Sequence, residues 1–174
     1  IAIIGAGIFA ITAAIKLSKL KNFHVEVFDK SNSILKGATY ANHNRHHYGF
    51  HYPRSQKTLD EINLSKEEFE YYYKDALFFN FKNYYAISKK SNVNKIKYYN
   101  FMIKNDLKFK EINIPKKLFN EKKISSVYQV REGVYDYNKL REITKKRMKN
   151  KFNIHLKYNL IASNYIKKIF IIIL

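Results

Sequence analysis

Ile1-Ala2-Ile3-Ile4-Gly5-Ala6-Gly7-Ile8-Phe9-Ala10 opens the chain, and His24-Val25-Glu26-Val27-Phe28-Asp29 follows after a lysine-bearing segment. Residues 1–4 are a short continuous apolar run, the pattern of a strand buried on both faces in a parallel sheet. Residues 11–20 carry apolar side chains at 11, 14, 15 and 17 and lysines at 16 and 19, the spacing of an amphipathic helix. Asn22 is its stop. Val25, Val27 and Phe28 give the second segment β-propensity. The order strand, glycine turn, helix, strand is complete by residue 29.

That order is the context of a dinucleotide-binding βαβ unit, and each residue of the turn has a physical task in it. Gly5 permits the tight turn off the strand. Gly7 has no Cβ, so a diphosphate can approach the backbone. Ala10 supplies the small residue that close helix–strand packing needs. Ala6, Ile8 and Phe9 complete the turn whose main-chain N–H groups, with the positive end of the helix dipole, face the phosphates. Asp29 ends the second strand nineteen residues after Ala10, where a carboxylate can accept both hydroxyls of an adenosine ribose, with Lys30 beside it. The pattern alone does not separate NAD from FAD.

Composition narrows the classes further. A chain of 174 residues is about one domain, or one and a part. The absence of cysteine excludes a disulfide framework, thiolate metal sites and a cysteine nucleophile. The hydrophobic content of 46% is too high for a disordered chain. No apolar run reaches the ~20 residues of a membrane-spanning helix. Ile1–Ile15 is apolar except for Thr12, but it has no basic segment before it and contains two glycines, which argues against a signal peptide. A cytoplasmic location is expected. The net charge of +19 suggests nucleic acid or an anionic membrane as a partner. Only five of the 33 basic residues are arginine, however, and specific phosphate and base readers favour arginine forks. The lysines are dispersed among many Asn, Ile, Tyr and Phe, a residue bias of AT-rich genomes, so no specific nucleic-acid partner is expected. The sequence starts inside one strand-like run and stops inside another, Phe170–Leu174, and so reads as part of a longer protein.

After Asp29 an ordinary NAD domain enters a second helix and third strand. This chain instead gives a polar loop, Gly37-Ala38-Thr39-Tyr40-Ala41-Asn42, followed by Arg45-His46-His47-Tyr48-Gly49-Phe50-His51-Tyr52-Pro53-Arg54-Ser55. With its opening turn, its VEVFDK strand end and this loop, the sequence resembles the FAD-dependent oxidoreductases of the D-amino-acid-oxidase type, within the glutathione-reductase-like flavoproteins. The likeness is good over residues 1–58. It departs in having Ala10 for the commoner third glycine, and in lacking the C-terminal Gly-Asp segment that closes over the flavin. The resemblance implies FAD as cofactor. It implies that Ala38 and Thr39 cover the pyrophosphate with Arg45 nearby, and that residues 49–52 lie near the flavin or the substrate entrance. His51 and Tyr52 are then the candidate catalytic residues, though the sequence assigns neither a role.

The resemblance further implies an α/β fold: a Rossmann-like FAD-binding βαβ unit with a parallel sheet, and part of an inserted α+β substrate domain. The expected division is 1–59 for the first part of the FAD-binding domain, 60–132 for the start of the substrate domain, and 133–174 for the return to the FAD-binding domain. The expected function is oxidation of an amine- or hydroxyl-bearing carbon of a small organic substrate by hydride transfer to flavin. Three alternatives remain: a flavin-dependent sugar mutase similar to UDP-galactopyranose mutase, an NAD-dependent dehydrogenase, and a basic nucleic-acid-binding module. No metal is expected. His43, His46, His47 and His51 lie close together, but Gly49 and Pro53 argue against a helix that would align them as ligands, and no acid lies among them.

Elsewhere Ser65-Lys66-Glu67-Glu68 has capping-box spacing and predicts a helix start before Phe69, Tyr72, Tyr73, Ala76 and Leu77. Residues 84–87 and 124–130 read as strands. Residues 94–105 read as a helix burying Ile96, Tyr99 and Ile103. Asp136 is the expected N-cap of a helix over 138–150 that buries Leu140, Ile143 and Met148 and ends in a basic, solvated turn. Residues 152–158 read as a strand, and the chain ends in the segment 165–174, strand-like over 170–174.

Overall fold

A computed structural model describes residues 1–151, 154–158 and 171–173. In chain order the elements are β1 (Ala2–Ile4), α1 (Ile8–Leu17), β2 (Val25–Phe28), α2 (Ala38–Ala41), β3 (Arg45–His46) and α3 (Gln56–Tyr73). Then come β4 (Leu77–Phe78), β5 (Asn83–Ser88), α4 (Lys95–Lys104), β6 (Phe109–Ile112), β7 (Ile124–Val130) and β8 (Gly133–Tyr135). α5 (Tyr137–Lys149), β9 (Ile154–Lys157) and β10 (Ile171–Ile173) complete the described chain. The chain forms two compact units, Ile1–Asn44 with Asp136–Leu174, and Arg45–Tyr135. Residue 59, the expected end of the first domain, falls inside the continuous helix α3.

The first unit is built on a parallel sheet of order β10-β1-β2-β9. Ala2 pairs with Glu26 and Ile4 with Phe28. Ile3, Val25 and Val27 are fully buried, as the apolar run predicts. α1 connects β1 to β2 and buries Ile8, Ala10, Ile11, Ala14 and Ile15. It starts three residues before the expected helix because Ile8 and Ala10 extend the apolar face into the turn. α5 is capped by Asp136, whose Oδ1 accepts from the Lys139 N–H at 3.0 Å. It buries Leu140 and Thr144, while Ile143 and Met148 are half-buried. The strand expected at 152–158 is observed at Ile154–Lys157. Of the segment expected at 165–174, residues 165–170 and 174 lie outside the described residues.

The second unit has two antiparallel sheets, β3-β8-β4 and β5-β7-β6. β5 and β7 pair Tyr85 with Tyr128. Phe50, Ile87, Tyr98, Met102, Tyr128 and Val130 form the core against them. Two expectations are corrected here. α4 has the expected limits, with Asn94 as N-cap, but Ile96, Tyr99 and Ile103 are exposed at 68, 41 and 58%, and Tyr98 and Met102 are the buried pair. The helix carries two apolar stripes, and packing selects the one whose Tyr98 hydroxyl reaches Phe50 O at 2.9 Å. Ser65 starts no helix. It lies in the middle of α3, its hydroxyl donating to Glu61 O, and the N-cap is Ser55, whose Oγ accepts from the Thr58 N–H at 3.2 Å. Among the described residues, no helix is long and apolar enough to cross a membrane.

Candidate dinucleotide-binding site

The turn from β1 into α1 is organised by Gly5. Its φ of 100° lies in the left-handed region that favours glycine. Its N–H donates to Phe28 O at 2.7 Å, tying the turn to the end of β2. The next N–H, of Ala6, donates to Asp29 Oδ2 at 2.6 Å. Asp29 Oδ1 accepts from the Ser31 N–H at 2.7 Å. The acid picked out by its place after the second strand therefore stands at the glycine turn itself. A carboxylate offers about four lone-pair sites, so each oxygen keeps one for a further donor such as a ribose hydroxyl.

Gly7 is the N-cap of α1, with an ordinary φ of −72°. A Cβ there would meet only Thr39 Oγ1, at 3.8 Å, so the space before the helix is open. Thr39, in α2, is buried, and its Oγ1 accepts from the Ile8 N–H at 3.3 Å. The loop after β2 thus returns to the start of α1. The N–H groups of Phe9 and Ala10 have no acceptor among the described residues, and the first turn contains no acid. Ala10 is buried and Phe9 is 74% exposed. Ala38 and Lys30 are exposed. Unpaired donors, the positive helix end and the gap at Gly7 fit a diphosphate in chemistry and in space.

Arg45 forms an ion pair with Glu132. In the Arg45–Tyr135 unit its Nη2 donates to Glu132 Oε2 at 2.7 Å, and its guanidinium lies 5.2 Å from the Tyr85 ring centroid. Glu132 has a fully buried side chain and also accepts from the Tyr48 N–H at 3.0 Å and the Tyr85 hydroxyl at 2.8 Å. Burial alone would raise its carboxyl. Contacts from His47, with Nδ1 3.8 Å away, from the Tyr48 N–H and from Tyr85, together with the Arg45 charge, outweigh burial and hold it below the usual carboxylate value. No local pattern marks this residue, since its partners lie 47 to 87 positions away in the chain.

The histidines separate. His43 is exposed and lies in the first unit. His46 is buried, its Nε2 2.7 Å from Glu70 Oε1, which also accepts from the Tyr48 hydroxyl at 2.8 Å. The rings of His47, His51 and Tyr52 pack together, with centroids 5.4 to 5.9 Å apart. His51 is exposed and Tyr52 half-buried. Among the described residues, no group of three His, Cys, Asp or Glu is placed to hold a metal ion.

The fold and the turn define a Rossmann-like unit, and residues 3–61 match the family model of the NAD(P)-binding Rossmann-like domain. No curated protein matches the chain. Among solved structures it is similar in fold to glycine oxidase from Geobacillus kaustophilus, with a TM-score of 0.71 and 13% identity over 91% of this chain and 46% of that one. It is similar to the FAD-bound, dithionite-reduced L-α-glycerophosphate oxidase from Mycoplasma pneumoniae, with a TM-score of 0.65 and 18% identity over 91% of this chain and 44% of that one. L-proline dehydrogenase from P. horikoshii gives a TM-score of 0.65 and 16% identity over 91% of this chain and 43% of that one. The chain spans less than half the length of each of these structures. At these identities the likeness is one of fold, and it extends across both units of the described chain.

Proposed function

We propose that the chain is part of an FAD-dependent oxidoreductase that oxidises an amine- or hydroxyl-bearing carbon of a small organic substrate, with the hydride passing to the flavin. The observation that carries the reading is the bond from the Ala6 N–H to Asp29. It joins a carboxylate with spare acceptor sites to a turn whose helix end has unpaired donors. In this reading residues Gly5 to Ala10 hold the pyrophosphate, Asp29 accepts the ribose hydroxyls beside Lys30, and Thr39 with Ala38 covers the phosphates. FAD supplies the redox chemistry when bound. The chain's own residues bind, orient and screen it. Two features favour FAD over NAD. After β2 the chain has only the four-residue α2 and the two-residue β3, where an NAD domain continues its nucleotide-binding half. The fold likeness also covers 91% of the chain and includes a structure with FAD bound. His51 and Tyr52 are the candidates for contact with substrate.

The absorption spectrum of the protein as purified, in its full natural length, tests the reading. Flavin bands released as FAD on denaturation are expected. A colourless protein that binds NAD instead would overturn it.

A further inference from the structure

A cavity of about 660 Å³ opens in the Arg45–Tyr135 unit, a volume typical of small-molecule sites. Two aromatic side chains in its wall, Tyr48 and Phe79, lie parallel within 5°, with centroids 6.5 Å apart. Each holds a cation: Lys66 Nζ lies 5.8 Å from the Tyr48 centroid, and the Arg131 guanidinium carbon 5.1 Å from that of Phe79. A ring face positions a cation without cancelling its charge. Lys66 is further held by a neutral acceptor, Asn63 Oδ1, at 3.0 Å. Lys108 is a third cation of the wall, and Asp106 is the single carboxylate. Among the described residues, none of the three cations has a carboxylate within ion-pair distance, whereas Arg45, Lys95 and Lys116 each do. The wall is thus built to hold positive charge in place and leave it uncompensated.

We propose that this cavity binds a small organic anion. Its phosphate or carboxylate head meets Lys66, Lys108 and Arg131, and its apolar body lies against Phe79 and Leu107. The assignment stands apart from the flavin reading, since it rests on the second unit alone and its test needs no cofactor.

Calorimetric titration of the full chain with phenyl phosphate and with benzoate, in a buffer free of other polyvalent anions, tests it. Saturable binding of at least one probe is expected, and the tighter of the two identifies the head group. Lys66→Met and Arg131→Met keep the aliphatic stems on the rings and remove the charge, and each should weaken binding about tenfold. Asp106→Asn removes the opposing charge and should strengthen it about threefold. Asparagine tolerates the Asp106 φ of 50°, so this variant reads the site even if the other two fail to fold. Lys145→Met, on α5, is the control for general charge attraction and should leave affinity unchanged. Absence of saturable heat, equal binding of neutral phenol, or an equal loss in Lys145→Met would overturn the proposal.

Discussion

Gly7 and Gly49 lack side chains for different reasons, and substitution separates them. Gly7 has a φ that any residue adopts and open space where a Cβ would lie. Gly7→Val should therefore cost about 1 kcal/mol or less of stability, the effect of a poorer N-cap, while abolishing flavin absorption in dialysed protein. Retained colour would contradict the phosphate assignment. Gly49 has a φ of 109°, and its Cβ would fall 2.0 Å from Leu59 Cδ1. Gly49→Ala should cost about 2 kcal/mol or more, read as a lowered urea midpoint. Legibility follows the same contrast between local and distant causes. That Asp29 stands at the glycine turn was readable because it follows from the position just after β2. Glu132 was not, because nothing in Arg131-Glu132-Gly133 reveals that Arg45, Tyr48 and Tyr85 converge on it.

At the scale of elements, the cap of α5 was legible because Asp136 stands alone before an apolar pattern. Asp136 and Asn94 both accept from the third N–H of their helices. Asp136→Ala should destabilise α5, and with it the first unit, by about 1 kcal/mol, measurable as a fall in the thermal midpoint. Ser65 misled because its spacing to Glu68 imitates a capping box while Ser55, ten residues earlier, does the capping. The faces of α4 were ambiguous for a related reason. A helix with apolar residues on two sides has no preferred side until a sheet lies against it, and the sheet that decides is assembled from strands far away in sequence. Here β5-β7-β6 took Tyr98 and Met102, leaving Ile96 and Ile103 in solvent.

For the molecule as a whole, the two units differ in how they are encoded. The glycine-turn half of the first is written in consecutive residues, β1, α1 and β2, so periodicity and spacing reach it. The second is held by antiparallel pairings and by polar contacts that cross tens of residues, with Glu132 at their centre: it joins β3, through Arg45, to β5, through Tyr85. That makes its ionisation a matter of stability. Its carboxyl lies below the 4.5 of an ordinary glutamate, so over the interval between the two values the unfolded chain binds more protons than the folded one. The stabilisation is complete above 4.5 and is lost as pH falls through the lower folded value. Glu132→Gln preserves shape but removes the charge facing Arg45, and should cost about 2–4 kcal/mol at neutral pH. Urea unfolding at a series of pH values should then show the native curve falling toward that of Glu132→Gln below pH 4.5, the gap narrowing with acidity. Two curves that run parallel from neutral pH into acid would mean that the carboxylate contributes through packing alone.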